Sequence, residues 1–395
     1  MAFLRYALPA LAAAGSAFAQ SNSCSTSATL TVVSPADASA LSSCTTFSGS
    51  VAIATEAAGD FSFPSVREIT GDLTATGATN VTSISADSIE SIGGTFGLDN
   101  LQRLNTLNFQ EITSVGKLDF SGLPNLNTLN FPQNIQSAQS LNIQNTFLSS
   151  LNGINLQSVE SIYIANNNLL QDISFQVSNL TGTINVESNG DQLKCAFPNL
   201  ITAANITFRD VPSISIPSLT NTTGSLGFYE NTITTINAPN LTTVGGTLAI
   251  NTNPKLTNIS MPVLQTITGG LQVQNNTILE EVTFPALTTI SGATDMYGNF
   301  TSVSLPALKD NRGGFNLQST GNITASCDVF NNEHGQSSVI KGKYQCAGSL
   351  TNPGNSSTTA TGSGSSSTKK SEAGDVRINA AAMGLSGLVA AMFAL

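Results

Sequence analysis

The 395-residue sequence has no tryptophan, one histidine and few charged side chains. Charged residues make up 10% of the chain, against roughly 25% in an ordinary soluble domain. The formal net charge is −10, and no run of cations is longer than the pair Lys369–Lys370. Because phosphate binding needs a clustered basic face, this composition argues against a nucleic-acid partner. The sequence instead favours a surface kept wet by hydroxyl and amide groups.

The motifs of common catalytic and cofactor sites are also missing. There is no phosphate-binding glycine loop, dinucleotide fingerprint or CxxC pair, and His334 has no companion ligand in the sequence around it. Glycoside hydrolysis generally needs two facing carboxylates. Candidate outward acids such as Asp99 and Asp295 fall several repeats apart. We therefore predict no catalytic residue, no metal site and no cofactor.

Both ends of the chain carry the patterns of processing signals. Residues 1–19 combine an early cation, an alanine-rich apolar stretch and an A-x-A motif at 17–19, which is typical of a secretory signal. Residues 379–395 carry no charge and are shorter than the roughly 20 apolar residues that span a bilayer. A small-residue site, a polar spacer and an apolar tail predict replacement of the tail by a GPI anchor. Ser371 is the predicted attachment residue, with Ser366 as the alternative.

A repeat of about 22 residues fills the middle of the chain. Each unit places leucine two positions and glycine seven positions after a proline, and apolar residues alternate at nine and eleven in four of five units. Period-two alternation predicts strands, and a unit that cannot bury its apolar row alone must stack on its neighbours. We predict an all-β fold, a parallel β-solenoid of about twelve coils. The proline, leucine and glycine columns are Pro217, Pro239, Pro262, Pro285 and Pro306; Leu219, Leu241, Leu264, Leu287 and Leu308; and Gly224, Gly246, Gly269, Gly292 and Gly313.

An asparagine column accompanies the first four of these units, fourteen positions after the proline. Its members are Asn231, Asn253, Asn276 and Asn299. Buried asparagines repeated in this way predict a ladder of side chains that bond the turn backbone of adjacent coils. Asn299 is also an N-x-[S/T] sequon, so an inward column would prevent it from carrying a glycan.

The predicted organisation follows from these patterns. The segment that ends at Ser371 is rich in Ser, Thr and Gly, so it differs in composition from the repeats before it. Because it can bury too little apolar surface to fold, we predict that it forms a stalk. The predicted segments are a signal peptide (1–19), an N-terminal cap (20–60), the solenoid (61–321), a C-terminal cap (322–348), the stalk (349–371) and the GPI propeptide (372–395).

The five cysteines fit a secreted solenoid with protected ends. Cys24 and Cys44 precede the first predicted coil, and Cys327 and Cys346 follow the last one. Since solenoid ends expose a cut core, we predict one disulfide in each cap, although sequence alone leaves the connectivity open. Cys195 is left over. A buried free thiol is the favoured interpretation, and intermolecular pairing is the alternative.

Ten N-x-[S/T] sequons make several N-glycosylation sites expected in a secreted chain. Asn275 lies one residue from the asparagine column and can therefore carry a glycan even if that column points inward. Besides Asn299, the sequon asparagines are Asn80, Asn179, Asn205, Asn221, Asn240, Asn258, Asn275, Asn322 and Asn355.

The repeat unit seen in Met261–Asn276 and Phe284–Asn299 resembles the leucine-rich-like solenoid of receptor L domains. Together with the signal, stalk and tail, the whole chain resembles the fungal family of GPI-anchored cell-wall organisation glycoproteins of the ECM and sporulation-specific type. The resemblance implies a role in wall organisation and integrity, without an established catalytic activity. It also implies a location at the extracellular face of the plasma membrane and in the wall. Lys369–Lys370 resembles a dibasic signal that retains such proteins at the plasma membrane.

One outward row of the predicted strands suits a ligand. It carries Tyr163, Tyr229 and Tyr297 together with amides, among them Gln272 and Gln274. Aromatic rings can stack on sugar rings, and amides can bond their hydroxyls. We therefore hypothesise a glycan-binding face whose partner is wall polysaccharide or a wall protein. The alternatives are a merely soluble sheet, a carbohydrate-active β-solenoid enzyme, and a receptor-like binder of a protein ligand.

Overall fold

The computed structural model describes residues 24–335 and 338–354. The signal peptide, the propeptide, Ser371 and Asn355 lie outside these residues. Short parallel strands wind through about 13 turns, so the predicted parallel β-solenoid is confirmed, with about one turn more than expected.

The elements of the first turns are α1 (Pro35–Ala40) and strands β1 (Leu30–Val32), β2 (Thr46–Phe47), β3 (Val51–Ile53), β4 (Ala58–Ser62), β5 (Glu68–Ile69), β6 (Leu73–Thr76), β7 (Asn80–Ala86), β8 (Ser91–Asp99), β9 (Thr106–Phe109), β10 (Ser114–Leu123), β11 (Ile135–Ser137), β12 (Ser140–Thr146) and β13 (Ile154–Ser158). The middle turns contain β14 (Ser161–Ala165), β15 (Asp172–Ser174), β16 (Thr183–Glu187), β17 (Lys194–Ala196), β18 (Thr202–Ala203), β19 (Asn205–Arg209), β20 (Ser213–Ser215), β21 (Asn221–Thr222), β22 (Leu226–Tyr229), β23 (Thr235–Asn237) and β24 (Thr243–Val244). The last turns contain β25 (Leu248–Asn251), β26 (Asn258–Ser260), β27 (Thr266–Ile267), β28 (Leu271–Gln274), β29 (Glu281–Thr283), β30 (Thr289–Ile290), β31 (Thr294–Gly298), β32 (Ser302–Ser304), β33 (Asp310–Asn311), β34 (Phe315–Ser319), α2 (Thr324–Gly335) and β35 (Tyr344–Ala347).

A regular turn has three strands, as in β23, β24 and β25. Pro239 lies in the corner between the first two strands, and Gly246 lies in the corner before the third. The third strands join in one sheet of 19 strands, which we call the broad sheet. Equivalent strands of successive turns pair in parallel and in register, so each sequence column becomes a ladder along the solenoid.

The predicted columns form the core. The leucines two positions after each proline are buried, as are the apolar pairs of the third strands, for example Leu248 and Ile250. Glycine is required at the corner because the turns touch there through their backbones. A Cβ on Gly269 would lie 2.6 Å from the carbonyl carbon of Gly246 in the preceding turn, far inside van der Waals contact.

Buried asparagines line the corner after the broad sheet. The amide and the Nδ2 group of Asn231 both donate to Oδ1 of Asn253, at 2.9 and 3.0 Å. Nδ2 of Asn253 donates to the carbonyl of Phe228, and its amide donates to Oδ1 of Asn276. The predicted ladder is therefore present at these three positions.

The prediction was wrong for Asn299 and incomplete toward the N-terminus. Asn299 is half-buried and accepts a hydrogen bond from the Thr320 hydroxyl, whereas Phe300 is the residue that is fully buried at this corner. Asn167 and Asn189 are buried and form a second, separate ladder, with Nδ2 of Asn167 donating to Oδ1 of Asn189 at 3.0 Å, while Val211 takes the buried position in the turn before Asn231. A buried phenyl ring has no polar group that needs a hydrogen-bond partner in the next turn. The ladder therefore ends at Asn276, because Phe300 takes the next position.

Each end of the solenoid carries a short helix and a disulfide. The predicted pairs Cys24–Cys44 and Cys327–Cys346 are both bonded. Near the first end, Ser34 and Asp37 form a reciprocal capping box on α1. The broad sheet already begins at β1, inside the segment predicted as an N-terminal cap, because β1 pairs with β3. It likewise extends past residue 321 to β35.

Cys195 is the one cysteine outside a disulfide, and it lies in the core at 1% exposure. Burial raises the pKa of its thiol, and the negative charge of Asp172 raises it further. A thiol is a nucleophile only as the thiolate, so this side chain is a packing residue.

Candidate binding face

The outward side chains of nine neighbouring strands of the broad sheet, from β12 to β34, form two columns that we call the amide face. At about 4.8 Å between strands, the face is about 40 Å long. The first column is Asn142, Tyr163, Asn185, Thr207, Gly227, Ala249, Gln272, Asp295 and Asn316. The second column is Gln144, Ala165, Glu187, Arg209, Tyr229, Asn251, Gln274, Tyr297 and Gln318.

All five residues predicted for the ligand-binding row lie on this face. Tyr163 and Gln272 belong to the first column, and Tyr229, Gln274 and Tyr297 belong to the second. Tyrosines therefore recur every three strands, at intervals of about 14 Å along the solenoid. Sequence spacing indicated the outward direction of these side chains but not their division into two columns.

Tyr229 lies flat on the sheet. A Cβ on Gly227 would lie 2.9 Å from Cζ of the Tyr229 ring, so the ring rests where the first column has no side chain. The guanidinium carbon of Arg209 lies 4.9 Å from the centre of the same ring, within cation–π range. Burial raises the pKa of Tyr229, and the Arg209 charge opposes this effect. The ring is thus held in place before any ligand arrives.

Tyr163 is fixed by a carboxylate. Its hydroxyl donates to Oε1 of Glu187 at 2.8 Å, and Nδ2 of Asn185 donates to the same oxygen at 3.3 Å. Burial and then the contact with Glu187 raise the pKa of Tyr163 to about 12. The phenol therefore stays protonated and can serve as a donor.

A hydrogen-bonded amide network occupies the C-terminal third of the face. Asp295 accepts from Nε2 of Gln274 at 2.9 Å and from Nδ2 of Asn316 at 2.7 Å. Burial raises the pKa of Asp295, against these two hydrogen bonds, which lower it. Its neighbours within the column are Gln272 and Asn316. No second carboxylate therefore adjoins Asp295 within either column, and this acid lacks the partner that glycoside hydrolysis generally uses.

The chain itself covers Tyr297. After β35, the segment 349–354 returns to the amide face, where the Gly354 amide donates to Oε1 of Gln318 at 3.0 Å. A Cβ on Gly354 would lie 2.6 Å from Cδ2 of Tyr297, so the glycine backbone rests against the ring. We call residues 349–354 the strap. Tyr163 and Tyr229 are not contacted by Gly354.

Three side-chain oxygens on the face have no hydrogen-bond partner among the described residues. They are Oδ1 of Asn142, Asn185 and Asn251. Each of these oxygens has almost no exposed surface, so it is a buried acceptor without a donor and costs free energy.

The sequons lie beside the amide face and not on it. Asn205 is at the edge of the broad sheet, two positions before the first column, and Asn275 is in the turn directly after β28. None of the described sequon asparagines belongs to either column. Those that are exposed are Asn80, Asn179, Asn205, Asn240, Asn258, Asn275 and Asn322, and those that are half-buried are Asn221 and Asn299.

No candidate metal centre is found in the part of the chain that the structure describes. It contains no group of three or more His, Cys, Asp or Glu side chains placed to hold a metal ion. His334 is exposed near the end of α2 and stacks on Tyr344, with 4.9 Å between ring centres. Among the described helices, none is long and apolar enough to cross a bilayer.

Comparison with known proteins gives the family. Residues 1–42 match a family described as GPI-anchored cell wall organization protein, Ecm33, and residues 52–181 and 191–300 match six copies of a BspA-type leucine-rich repeat. No solved structure matches the chain.

The relatives cover nearly the whole chain. Protein ecm33 of Aspergillus fumigatus is 43% identical, over 93% of this chain and 92% of that protein. A cell surface GPI-anchored protein of Arthroderma benhamiae is 38% identical over 88% of both chains. Cell surface GPI-anchored protein ECM33 of Candida albicans is 32% identical, over 91% of this chain and 86% of its own length. The chain therefore belongs to the Ecm33 family of GPI-anchored cell wall proteins, located at the outer surface of the plasma membrane and in the cell wall.

Proposed function

We propose that the amide face binds a wall polysaccharide without cleaving it and so ties the anchored protein to the wall. The observation that carries this proposal is the pair of sequon-free columns, in which a tyrosine recurs every three strands among eight amide side chains. Aromatic rings at constant intervals suit a polymer that repeats its own sugar rings. Glycans at the predicted sequons would leave the columns open.

The same geometry supports binding without cleavage. The tyrosine rings and amide groups offer stacking and hydrogen bonds to sugar hydroxyls. Asp295 is the acid on the face whose pKa burial raises, and amides stand where a second carboxylate would be needed. The names of the relatives, which describe cell wall and cell surface proteins, are consistent with this role.

The anchor and the stalk set the reach of this face. We propose attachment at Ser371, which leaves 17 residues, 355–371, between the strap and the anchor. Fully extended, 17 residues span at most about 60 Å. The face would then meet polymer in the layer of wall nearest the membrane.

Replacing Tyr229 by alanine is expected to weaken binding to the polysaccharide about tenfold, roughly 1.4 kcal/mol, because a pre-positioned ring is lost. Tyr297→Ala is expected to weaken it less, since Gly354 covers that ring. The measurement is sedimentation of the full-length protein, purified in detergent, with increasing amounts of insoluble glucan, chitin or mannan.

Phe147→Ala is the matched control, because Phe147 is an aromatic residue that is 47% exposed and lies outside the two columns. Its binding curve should match that of the wild type. Equal binding by wild type and Tyr229→Ala, with unchanged thermal midpoints, would contradict the assignment of the amide face.

A further inference from the structure

One coil departs from the regular repeat. The buried residue that precedes the corner turn is Phe131 in one coil, Leu151 in the next and Phe175 in the third. These positions are separated by 20 and 24 residues, whereas the proline-marked units are separated by 21 to 23. The middle coil therefore turns early, and the amide of Ile154 closes its corner by donating to the carbonyl of Leu151 at 2.9 Å.

Strand β13 restores the register after this early turn. Ile135 pairs with Ile154, but Ser137 pairs with Ser158, so β13 contains two residues more than β11 over the same stretch. As a result the middle coil has no strand on the side occupied by β9 and β15. The sheet that contains β9 continues only to an isolated bridge at Asn130, and the next sheet on this side begins at β15.

A cavity of about 370 Å³ opens where this strand is missing. Its volume is at the lower end of the range of small-molecule sites, about 300–1,000 Å³. Leu151, Ile154 and Phe175 lie beneath it and are almost fully buried, so its exposed lining is mostly polar. The space is sufficient for one or two pyranose rings.

The edge of β15 adds backbone groups to the cavity. On its other edge, the carbonyl of Gln171 accepts from Lys194 and the amide of Phe175 donates to Ala196. Alternate residues of a parallel strand direct their backbone groups to opposite edges, so those of Asp172 and Ser174 face the cavity. Among the described residues, β15 pairs with β17 alone.

The polar walls are neutral apart from one carboxylate. Asn134, Asn152 and Asn155 contribute amides, Ser174 contributes a hydroxyl and Asp172 contributes the acid. A hydrocarbon ligand would leave these groups unpaired, and an anion would be repelled by Asp172. A neutral polyhydroxylated ring instead matches the hydrogen-bonding walls.

We propose that this cavity is a second carbohydrate site, which binds one or two sugar units at the end of a polysaccharide or of a glycoprotein glycan. It lies on a different side of the coil from the amide face and is built from different residues. The proposal therefore stands apart from the function assigned to that face.

The test is titration of the full-length protein with the β-1,3-linked glucose disaccharide, with the β-1,4-linked disaccharide of N-acetylglucosamine and with a mannose disaccharide, followed by saturation-transfer NMR. We expect saturable binding of one of these sugars, which identifies the source as glucan, chitin or mannose-containing glycan. Asn152→Ala combined with Asp172→Ala should weaken that binding about tenfold or more, since each change removes hydrogen-bonding groups. Asn152→Ala alone, in an exposed turn, should weaken it measurably and serves if the double variant does not fold.

Asp191→Ala is the matched control, because Asp191 is an exposed acid near the next turn that does not line the cavity. It should bind the disaccharide as the wild type does. Absence of saturable binding of all three sugars would overturn the proposal, as would equal binding by wild type and Asn152→Ala.

Discussion

Replacing Gly313 by alanine is expected to lower the free energy of unfolding by about 3 kcal/mol, because overpacking of this kind displaces the backbone. A Cβ at this position would lie 2.5 Å from the carbonyl carbon of Gly292 and from the amide nitrogen of Ala293. Neither atom belongs to a flexible side chain that can move aside. Since Gly342 packs against Gly313 in turn, the displacement is passed on to the last turn.

The neighbouring residue supplies the control for this experiment. A Cβ on Gly314 would come no closer than 3.5 Å, to the carbonyl oxygen of Lys343. Both substitutions reduce the entropy of the unfolded chain equally. The difference between their free energies of unfolding therefore reports the steric clash alone. Urea unfolding followed by circular dichroism should show a lower midpoint for Gly313→Ala alone. Equal midpoints for the two variants would mean that the turns are not stacked through their glycine corners.

Replacing Asn253 by alanine is expected to destabilise the protein by about 2–4 kcal/mol, since it leaves several buried polar groups without partners. Its Oδ1 accepts from both nitrogens of Asn231, and its Nδ2 donates to the carbonyl of Phe228. No water can reach these groups easily, because Asn253 and Asn231 are both fully buried.

Asn251→Ala is the comparison for the ladder, two residues away in the same chain segment. Asn251 is half-buried on the amide face and donates to Gln272 at 3.4 Å, so its loss should cost about 0.5–1 kcal/mol. The same urea unfolding measures both variants. If Asn253→Ala were as stable as Asn251→Ala, the buried ladder would not hold adjacent turns together.

The repeat could be predicted because each column has a chemical requirement that recurs in the five proline-marked turns. Pro239 and Gly246 mark two corners, and Leu248 and Ile250 fill the core between turns, so the register is visible without coordinates. The two disulfides could be predicted for a similar reason, since a solenoid needs protection only at its ends. These features depend on local spacing alone.

The remaining features depend on how one turn meets the next. Asn299 has the spacing of the ladder, yet Phe300 takes the interior position because a ring fills the core there. Asn167 and Asn189 form a second ladder on the other side of Val211, but no proline marks their register in the sequence. Similarly, α1 interrupts the first turn, so the early start of the broad sheet at β1 is hidden in the sequence pattern.

The candidate binding face also combines features that local spacing predicts with features that it does not. Period-two alternation placed Tyr163, Tyr229 and Tyr297 on the outside, as the structure shows. The strap over Tyr297 could not be predicted, because Gly354 is distant in sequence and its segment has no repeat pattern to place it on the face. The cavity beside β15 could not be predicted either. It arises because one coil turns early at Leu151, and the two extra residues of β13 then restore the register.

The most direct test of the central claim is one sedimentation experiment with two readings. The full-length protein is incubated with insoluble glucan, chitin and mannan, and both the bound protein and the reducing ends released into the supernatant are measured. The amide face predicts saturable binding to one polymer with no increase in reducing ends over a protein-free control. Release of reducing ends, or failure to sediment with any of the three polymers, would contradict it.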